Sequence, residues 1–359
     1  TPWGTIFTAE ENVQYFYGDL EDWWSSRQVF NPAGGAKAGG IIRASIAASP
    51  ASEFGMDPNR NQHKDRDAYG YLVEIDVGLD GRVAYATKTG RGHRKLGAMG
   101  RVRWENMCVR TGADGKLVAG EPVVLYGAND RRGGRIYKFV SSKPYAAGMD
   151  RASIRRLLDE GAVFVAHFAD LDNASGYFRR DGKDMLDPDG TAPVRGRGRW
   201  IRMSLDSTDV APNAGRSNAN NETVTLVPAG TTVGAALRDT QHNGMGGFAS
   251  QSDLLKMLWT AANKIGVREL NRPEDVEWNP KGYGDHGPML VIAFTKHGRP
   301  NALDANGVLN TNTRTGKLVD RTVRDDPLGS IFALQETGPG AFSFWALHRG
   351  SNADVPAVN

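Results

Sequence analysis

Four short groups of acidic, amide and guanidinium side chains are spaced so that they could assemble a cation site beside an anion site. Glu10 and Glu11 are adjacent in TPWGTIFTAEEN, and Glu105 sits in GRVRWEN. Asn129 and Asp130 end VVLYGAND, and Arg272 and Glu274 flank Pro273 in NRPEDVEWNP. Successive strand side chains point to opposite faces, so Glu10 and Glu11 converge only where a strand ends and the backbone turns. Two carboxylates held about 4 Å apart repel by ~4 kcal/mol at an effective dielectric of about 20, and a cation offsets that cost. Glu105 lies in a largely apolar run, which makes it either a buried charge in need of a partner or metal, or a solvated strand residue paired with Arg101 or Arg103. Asn129 and Asp130 are hard oxygen donors of the calcium-binding kind, or a turn leading into Arg131 and Arg132. Pro273 fixes the backbone so that Arg272 and Glu274 lie on one side. That pairing is either a surface salt bridge or the bidentate fork that recognises phosphate beside a Lewis-acid cation.

The usual sequence marks of other chemistries are missing. There is no P-loop, no G-x-S-x-G elbow and no H-E-x-x-H, and none of the 7 histidines pairs at i, i+4. GMGGFAS (244–250) does not follow a strand and reads as the entry to a helix. The single cysteine, Cys108, excludes a disulfide framework or a cysteine-based zinc cluster, and its flanks Met107 and Val109 predict a buried thiol.

The elements that must carry these residues are mostly strands. Short β-branched or aromatic runs occupy 4–8, 70–76, 83–87, 123–126, 135–140, 162–168, 200–203, 223–227, 289–295 and 330–335. LDGR (79–82), ADGK (113–116) and NPKG (279–282) mark tight turns between such runs. Many short strands with Gly-rich turns predict a sandwich, barrel or propeller, and strand–turn–strand units followed by longer loops favour the all-β propeller. Two helices are predicted. One, over 250–264, has Leu254, Leu255, Leu258 and Trp259 on one face and Ser252 as its cap; the other spans 152–160. Residues 172–199 and 204–222 read as surface insertions, and RGHRK (91–95), DRRGGR (130–135) and RGRGR (195–199) as solvated loops.

The length allows one large domain or two ordinary ones. The 359 residues are 40% hydrophobic and 24% charged, with 44 basic against 41 acidic residues. That balance excludes a nucleic-acid binder built on a basic patch. No apolar run approaches the ~18 residues of a membrane span. The chain opens inside a hydrophobic segment, without a signal peptide or an initiating Met, which predicts missing upstream residues.

In order along the chain, TPWGTIFTAEEN, GYLVEIDV (70–77), GRVRWEN, VVLYGAND…IYKFVS, LLDEGAVFVAHF (157–168), NRPEDVEWNP and GSIFALQE (329–336) resemble the PhoX-type alkaline phosphatases. The resemblance runs from residue 1 to about 345 across a single domain with insertions near 172–222 and 240–263. It implies a β-propeller of about six blades, a bacterial, periplasmic or secreted enzyme, and hydrolysis of small phosphate monoesters at an axial site holding iron and calcium. It places Glu10, Glu11, Glu105 and Glu274 at acidic metal positions, Asn129 and Asp130 on an Asp-Asp pair, and Arg272 against phosphate, with Arg272 and Glu274 catalytic.

Three positions depart from the family pattern. Ala9 replaces a cysteine that ligates iron, leaving an all-oxygen set suited to calcium, magnesium or manganese. Trp104 replaces a histidine. A late Asp-containing segment does not occur before Asn359, so that ligand is absent or lies beyond this fragment. Two other readings stand beside the phosphatase. One is a propeller that binds calcium without turnover, and the other is a calcium-dependent lactonase or esterase with no affinity for phosphate.

Overall fold

The computed structural model describes residues 1–11, 21, 69–85, 89–171, 179–180, 183–184, 195–217, 227–295, 303–309, 311–312, 317–318 and 329–349. The strands are β1 (Ile6–Ala9), β2 (Leu72–Ile75), β3 (Arg94–Lys95), β4 (Trp104–Val109), β5 (Pro122–Asn129), β6 (Arg132–Gly134), β7 (Ile136–Pro144) and β8 (Gly161–Phe168). They continue as β9 (Arg179–Arg180), β10 (Lys183–Asp184), β11 (Gly196–Arg202), β12 (Leu270–Asn271), β13 (Pro273–Asn279) and β14 (Met289–Phe294). The last are β15 (Thr311–Asn312), β16 (Lys317–Leu318), β17 (Ser330–Gly338) and β18 (Ala341–Arg349). Among the described residues four short α-helices accompany them: α1 (Arg151–Leu157), α2 (Val233–Arg238), α3 (Gln251–Lys256) and α4 (Leu258–Lys264).

Nine strands form one antiparallel sheet in the order β13-β14-β17-β18-β11-β8-β7-β5-β4. Its turns use the residues that turns demand. In ADGK, between β4 and β5, Gly112 donates its amide to the Lys116 carbonyl. In NPKG, between β13 and β14, the Asn279 carboxamide accepts from the Lys281 and Gly282 amides. One face of the sheet encloses an apolar cluster to which all nine strands contribute, including Tyr126, Phe168, Trp200, Val276, Ile292, Phe332 and Phe344. The rings of Phe168 and Phe344 meet edge-to-face at 4.7 Å, and those of Phe168 and Phe342 at 5.1 Å. The opposite face, under β4, β5, β7 and β8, packs Trp104, Leu125, Tyr137, Phe139 and Val165 against α1–α4. Being covered on both sides, β5 is buried along nearly its whole length and does not alternate.

The two edge strands, β4 and β13, have no backbone ladder between them. Side chains join them instead: Asn106 on β4 accepts from the Val276 amide at 3.0 Å, and Trp278 Nε1 on β13 donates to the Thr111 carbonyl at 2.9 Å. The sheet is therefore nearly closed, with a single seam.

Several sequence expectations change. The predicted helix over 250–264 is two helices, capped by Ser250 rather than Ser252; Ser250 Oγ accepts from the Asp253 amide. The break at Met257 has a local cause. The Leu255 carbonyl, whose helical partner would be the Trp259 amide, accepts instead from the Arg101 amide at 2.8 Å. The apolar face predicted for this segment is buried in both helices, at Leu254, Met257, Leu258, Ala261 and Ala262. Residues 196–199, expected in a surface insertion, are part of β11 and lie between β8 and β18. The basic runs are not solvated loops: Arg94, Arg131 and Arg135 are buried on internal partners. Strand β13 and the helix α2 were not among the predicted elements. Of the strand predicted over 223–227, residues 223–226 lie outside the described residues, as do 86–88 of the run at 83–87.

Candidate metal and phosphate centre

The candidate site straddles the seam. Register places one extra residue on β4 between Trp104 and Met107 relative to β5, and one on β13 between Pro273 and Asp275 relative to β14. These are β-bulges, which re-aim side chains out of the regular alternation. Glu105 and Glu274 occupy the two bulges, and Arg272 immediately precedes β13.

Glu11, at the end of the first described segment, completes the group. Carboxylate oxygens of Glu11, Glu105 and Asp130 lie within 4.8 Å of one another. Asp130 is buried, whereas Glu11 and Glu105 are half-buried. Burial, then the charges of Glu105 and Asp130, push the Glu11 carboxyl up to about 8. Burial and Asp130 likewise raise Glu105 and Glu274 above the usual carboxylate range. Three carboxylates crowded together at this depth are a charge excess that a cation would relieve.

Arg272 is the cationic member. Its Nε and Nη2 donate to the two oxygens of Asp130 at 3.0 and 2.9 Å, and Nη2 lies 3.0 Å from Glu274 Oε1. Burial alone would lower the guanidinium, but the Asp130 hydrogen bonds and charge raise it above its ordinary value. Its Nη1 has no hydrogen bond among the described residues. Arg272 also has φ +40°, a left-handed backbone that a long side chain rarely adopts, and such strain concentrates at functional positions.

The Glu10–Glu11 pair expected to converge is divided. Glu10 turns away, accepting from the Gly70 and Tyr71 amides and pairing with Lys95 at 2.7 Å, while Glu11 joins the cluster. The end of β1 therefore anchors one carboxylate and presents the other. Asn129, which directly precedes Asp130, is fully buried. It lies beside the Tyr137 phenol, and its buried carboxamide has no hydrogen-bond partner among the described residues. Trp104 is fully buried, with Nε1 on the Gly100 carbonyl at 3.2 Å.

The neighbours that support the site were read from sequence only as a basic loop and a helix face. The turn after Asp130 is held by Arg131, whose guanidinium lies 3.9 Å over the Trp259 ring and donates to the Glu21 carbonyl. Trp259 Nε1 donates to the Gly133 carbonyl at 2.7 Å, and β6 pairs with β12 directly before Arg272. Asp130 and Arg272 are thus mounted on adjoining ladders. Their sequence separation leaves no local signal of that arrangement.

All the grouped donors are carboxylate oxygens, which fit a hard divalent cation such as calcium. Among the described residues the cluster contains no Cys or His, the softer ligands that would suit iron.

A mostly β protein with a nearly closed antiparallel sheet and a carboxylate–arginine site at its seam defines the class: a propeller-like fold with an acidic, cation-ready centre. The chain belongs to the PhoX alkaline phosphatase family, whose model, described as alkaline phosphatase PhoX, matches residues 1–336. Among solved structures it is similar to Pseudomonas fluorescens PhoX in complex with vanadate, a transition state analogue. That likeness has 22% sequence identity and a TM-score of 0.53, and it covers 100% of this chain and 48% of the other. The chain therefore spans about half the length of that solved relative. Among curated proteins no sequence matches this chain.

Proposed function

We propose that this chain is a cation-dependent phosphomonoesterase acting on small phosphate esters. The observation that carries this reading is the grouping of Glu11, Glu105 and Asp130 within 4.8 Å, with Arg272 bonded to Asp130 and 3.0 Å from Glu274. Glu11, Glu105 and Asp130 would hold a hard cation, calcium being the best fit, and the cation would supply Lewis-acid polarisation of a phosphoryl oxygen. Arg272 binds the phosphoryl group through its Nη1 edge while Nε and Nη2 stay on Asp130. Glu274 keeps the guanidinium in that plane. Glu11, titrating near 8 without a cation, gives up its proton as the cation binds. Membership of an alkaline phosphatase family supports the ester class. The same family supports an extracytoplasmic location, and no helix among the described residues is long and apolar enough to cross a membrane.

The test is hydrolysis of p-nitrophenyl phosphate by purified protein, with its metals measured by mass spectrometry before and after chelation. Activity is expected to vanish on chelation, to return with calcium, and to be lost in Arg272→Ala and Glu274→Ala. Hydrolysis that survives chelation or either substitution overturns the reading. A second reading, calcium binding without turnover, is favoured by Ala9. It predicts calcium at the cluster and no hydrolysis under any metal supplement.

A further inference from the structure

The cluster depends on two strands that no backbone ladder joins. Glu105 belongs to β4, Glu274 lies at the start of β13 and Arg272 immediately precedes it, so a parting of these two strands separates Glu105 from Arg272 and Glu274. Beside the cluster, Arg272 grips Asp130 and β12 pairs with β6; between β4 and β13 themselves, the side chain that meets the facing strand next to Glu105 is Asn106. Its carboxamide oxygen accepts from the Val276 amide at 3.0 Å, and its nitrogen lies 3.4 Å from the Val276 carbonyl. One carboxamide thus meets both backbone groups of a residue on the facing strand, as the peptide groups of a paired residue do in an antiparallel ladder. The same nitrogen also donates to the Asp275 carboxylate. The bulge on β4 makes this possible, because it turns the adjacent residues Glu105 and Asn106 out of strict alternation.

We propose that Asn106 is a positioning residue that supplies the missing rung of the seam, holding the strand of Glu105 against the strand of Arg272 and Glu274. The effect on the cation site rests on the phosphatase reading above; the rung itself does not. Asn106 bonds the neighbour of Glu274 and is itself the neighbour of Glu105, so it acts through both and touches neither cation nor phosphate. Asparagine suits the task because it offers a donor and an acceptor on one short, planar group. Aspartate keeps the acceptor, loses the donor and adds a negative charge facing Asp275.

The experiment compares the wild type with Asn106→Leu, Asn106→Asp, Asp275→Asn and the double variant Asn106→Asp/Asp275→Asn. Calcium affinity is measured by isothermal titration calorimetry and hydrogen exchange by mass spectrometry across 273–279. Asn106→Leu and Asn106→Asp should each weaken calcium binding about tenfold, the worth of one well-made hydrogen bond to a charged group. Both should also speed exchange at Val276. Asp275→Asn should stay near wild type, since its amide oxygen still accepts from Asn106. The double variant should recover most of the affinity and the protection, because the carboxamide introduced at position 275 would then donate to the new carboxylate. A general loss of packing would not produce that rescue. Wild-type affinity and exchange in Asn106→Asp, or a double variant no better than Asn106→Asp, overturns the proposal. If the wild type binds no calcium, the reading of the cluster fails; slow Val276 exchange that Asn106→Leu abolishes still upholds the rung, and exchange indifferent to Asn106→Leu refutes it.

Discussion

At the scale of single residues, the site separates side chains that look alike in sequence. Glu10 and Glu11 are neighbours of one type, yet one is tied to Lys95 and two backbone amides while the other faces Glu105 and Asp130. Glu11→Gln should therefore weaken calcium binding at least tenfold and abolish the proton release that accompanies it below pH 8. Glu10→Gln should leave calorimetric affinity within about twofold of wild type, a difference of less than ~0.5 kcal/mol. The sequence made the acidic pair conspicuous but could not divide its labour. Which carboxylate turns inward depends on Lys95 and on the amides of Gly70 and Tyr71, all remote in sequence. Arg272 illustrates the same limit. Its pairing with Glu274 follows from proximity, but its bidentate grip on Asp130 and its left-handed backbone are products of the assembled fold.

At the scale of elements, periodicity and turn chemistry located most of the sheet. β5, β7, β8, β14 and β17 lie where apolar runs predicted them, and the turns at ADGK and NPKG join antiparallel neighbours. β13 was missed because PEDVEWN alternates imperfectly, with a bulge at its start and charges on its exposed face. The helix break at Met257 was equally invisible, since it follows from the Arg101 amide capturing the Leu255 carbonyl. The basic runs misled because composition alone cannot distinguish a guanidinium in water from one stacked on Trp259. Close approach between elements gives a prediction of its own. A Cβ on Gly127 would sit 2.5 Å from the Trp104 ring, so β4 and β5 can pair there only over glycine. Gly127→Ala should cost about 1–3 kcal/mol, read as a lower denaturant midpoint with an unchanged slope. Because Trp104 directly precedes Glu105, calcium affinity should fall with it.

At the scale of the whole molecule, two sets of buried carboxylates set opposite limits on stability with pH. Burial raises Glu74, but hydrogen bonds from Trp3 and the guanidinium of Arg94 outweigh it and hold the group below its ordinary value. Its contribution is present above the unfolded carboxylate range and is lost as pH falls through the lowered folded value. Glu11 runs the other way. With a folded value of about 8, it favours the fold below the unfolded value near 4.5 and loses that advantage as pH rises to 8. In chelator the melting temperature should peak in mildly acidic solution and decline toward pH 9. Added calcium should remove the alkaline decline and leave the acid limb unchanged, as differential scanning fluorimetry from pH 4 to 9 would record. A melting curve in chelator that is flat from pH 5 to 9 would contradict this assignment.

The filled interior of the sheet and Arg272 at its seam have a consequence for traffic. Phe168, Phe342, Phe344, Phe332 and Trp200 crowd one another there, and the Lys138 ammonium lies 4.5 Å over the Trp200 ring, bonded to Glu336. These groups fill the space on that face of the sheet with side chains. On the phosphatase reading proposed above, the ester and the inorganic phosphate left behind would both engage the Arg272 guanidinium at the seam. Arrival and departure then compete, and free phosphate should act as a competitive inhibitor whose potency falls when Arg272 is shortened.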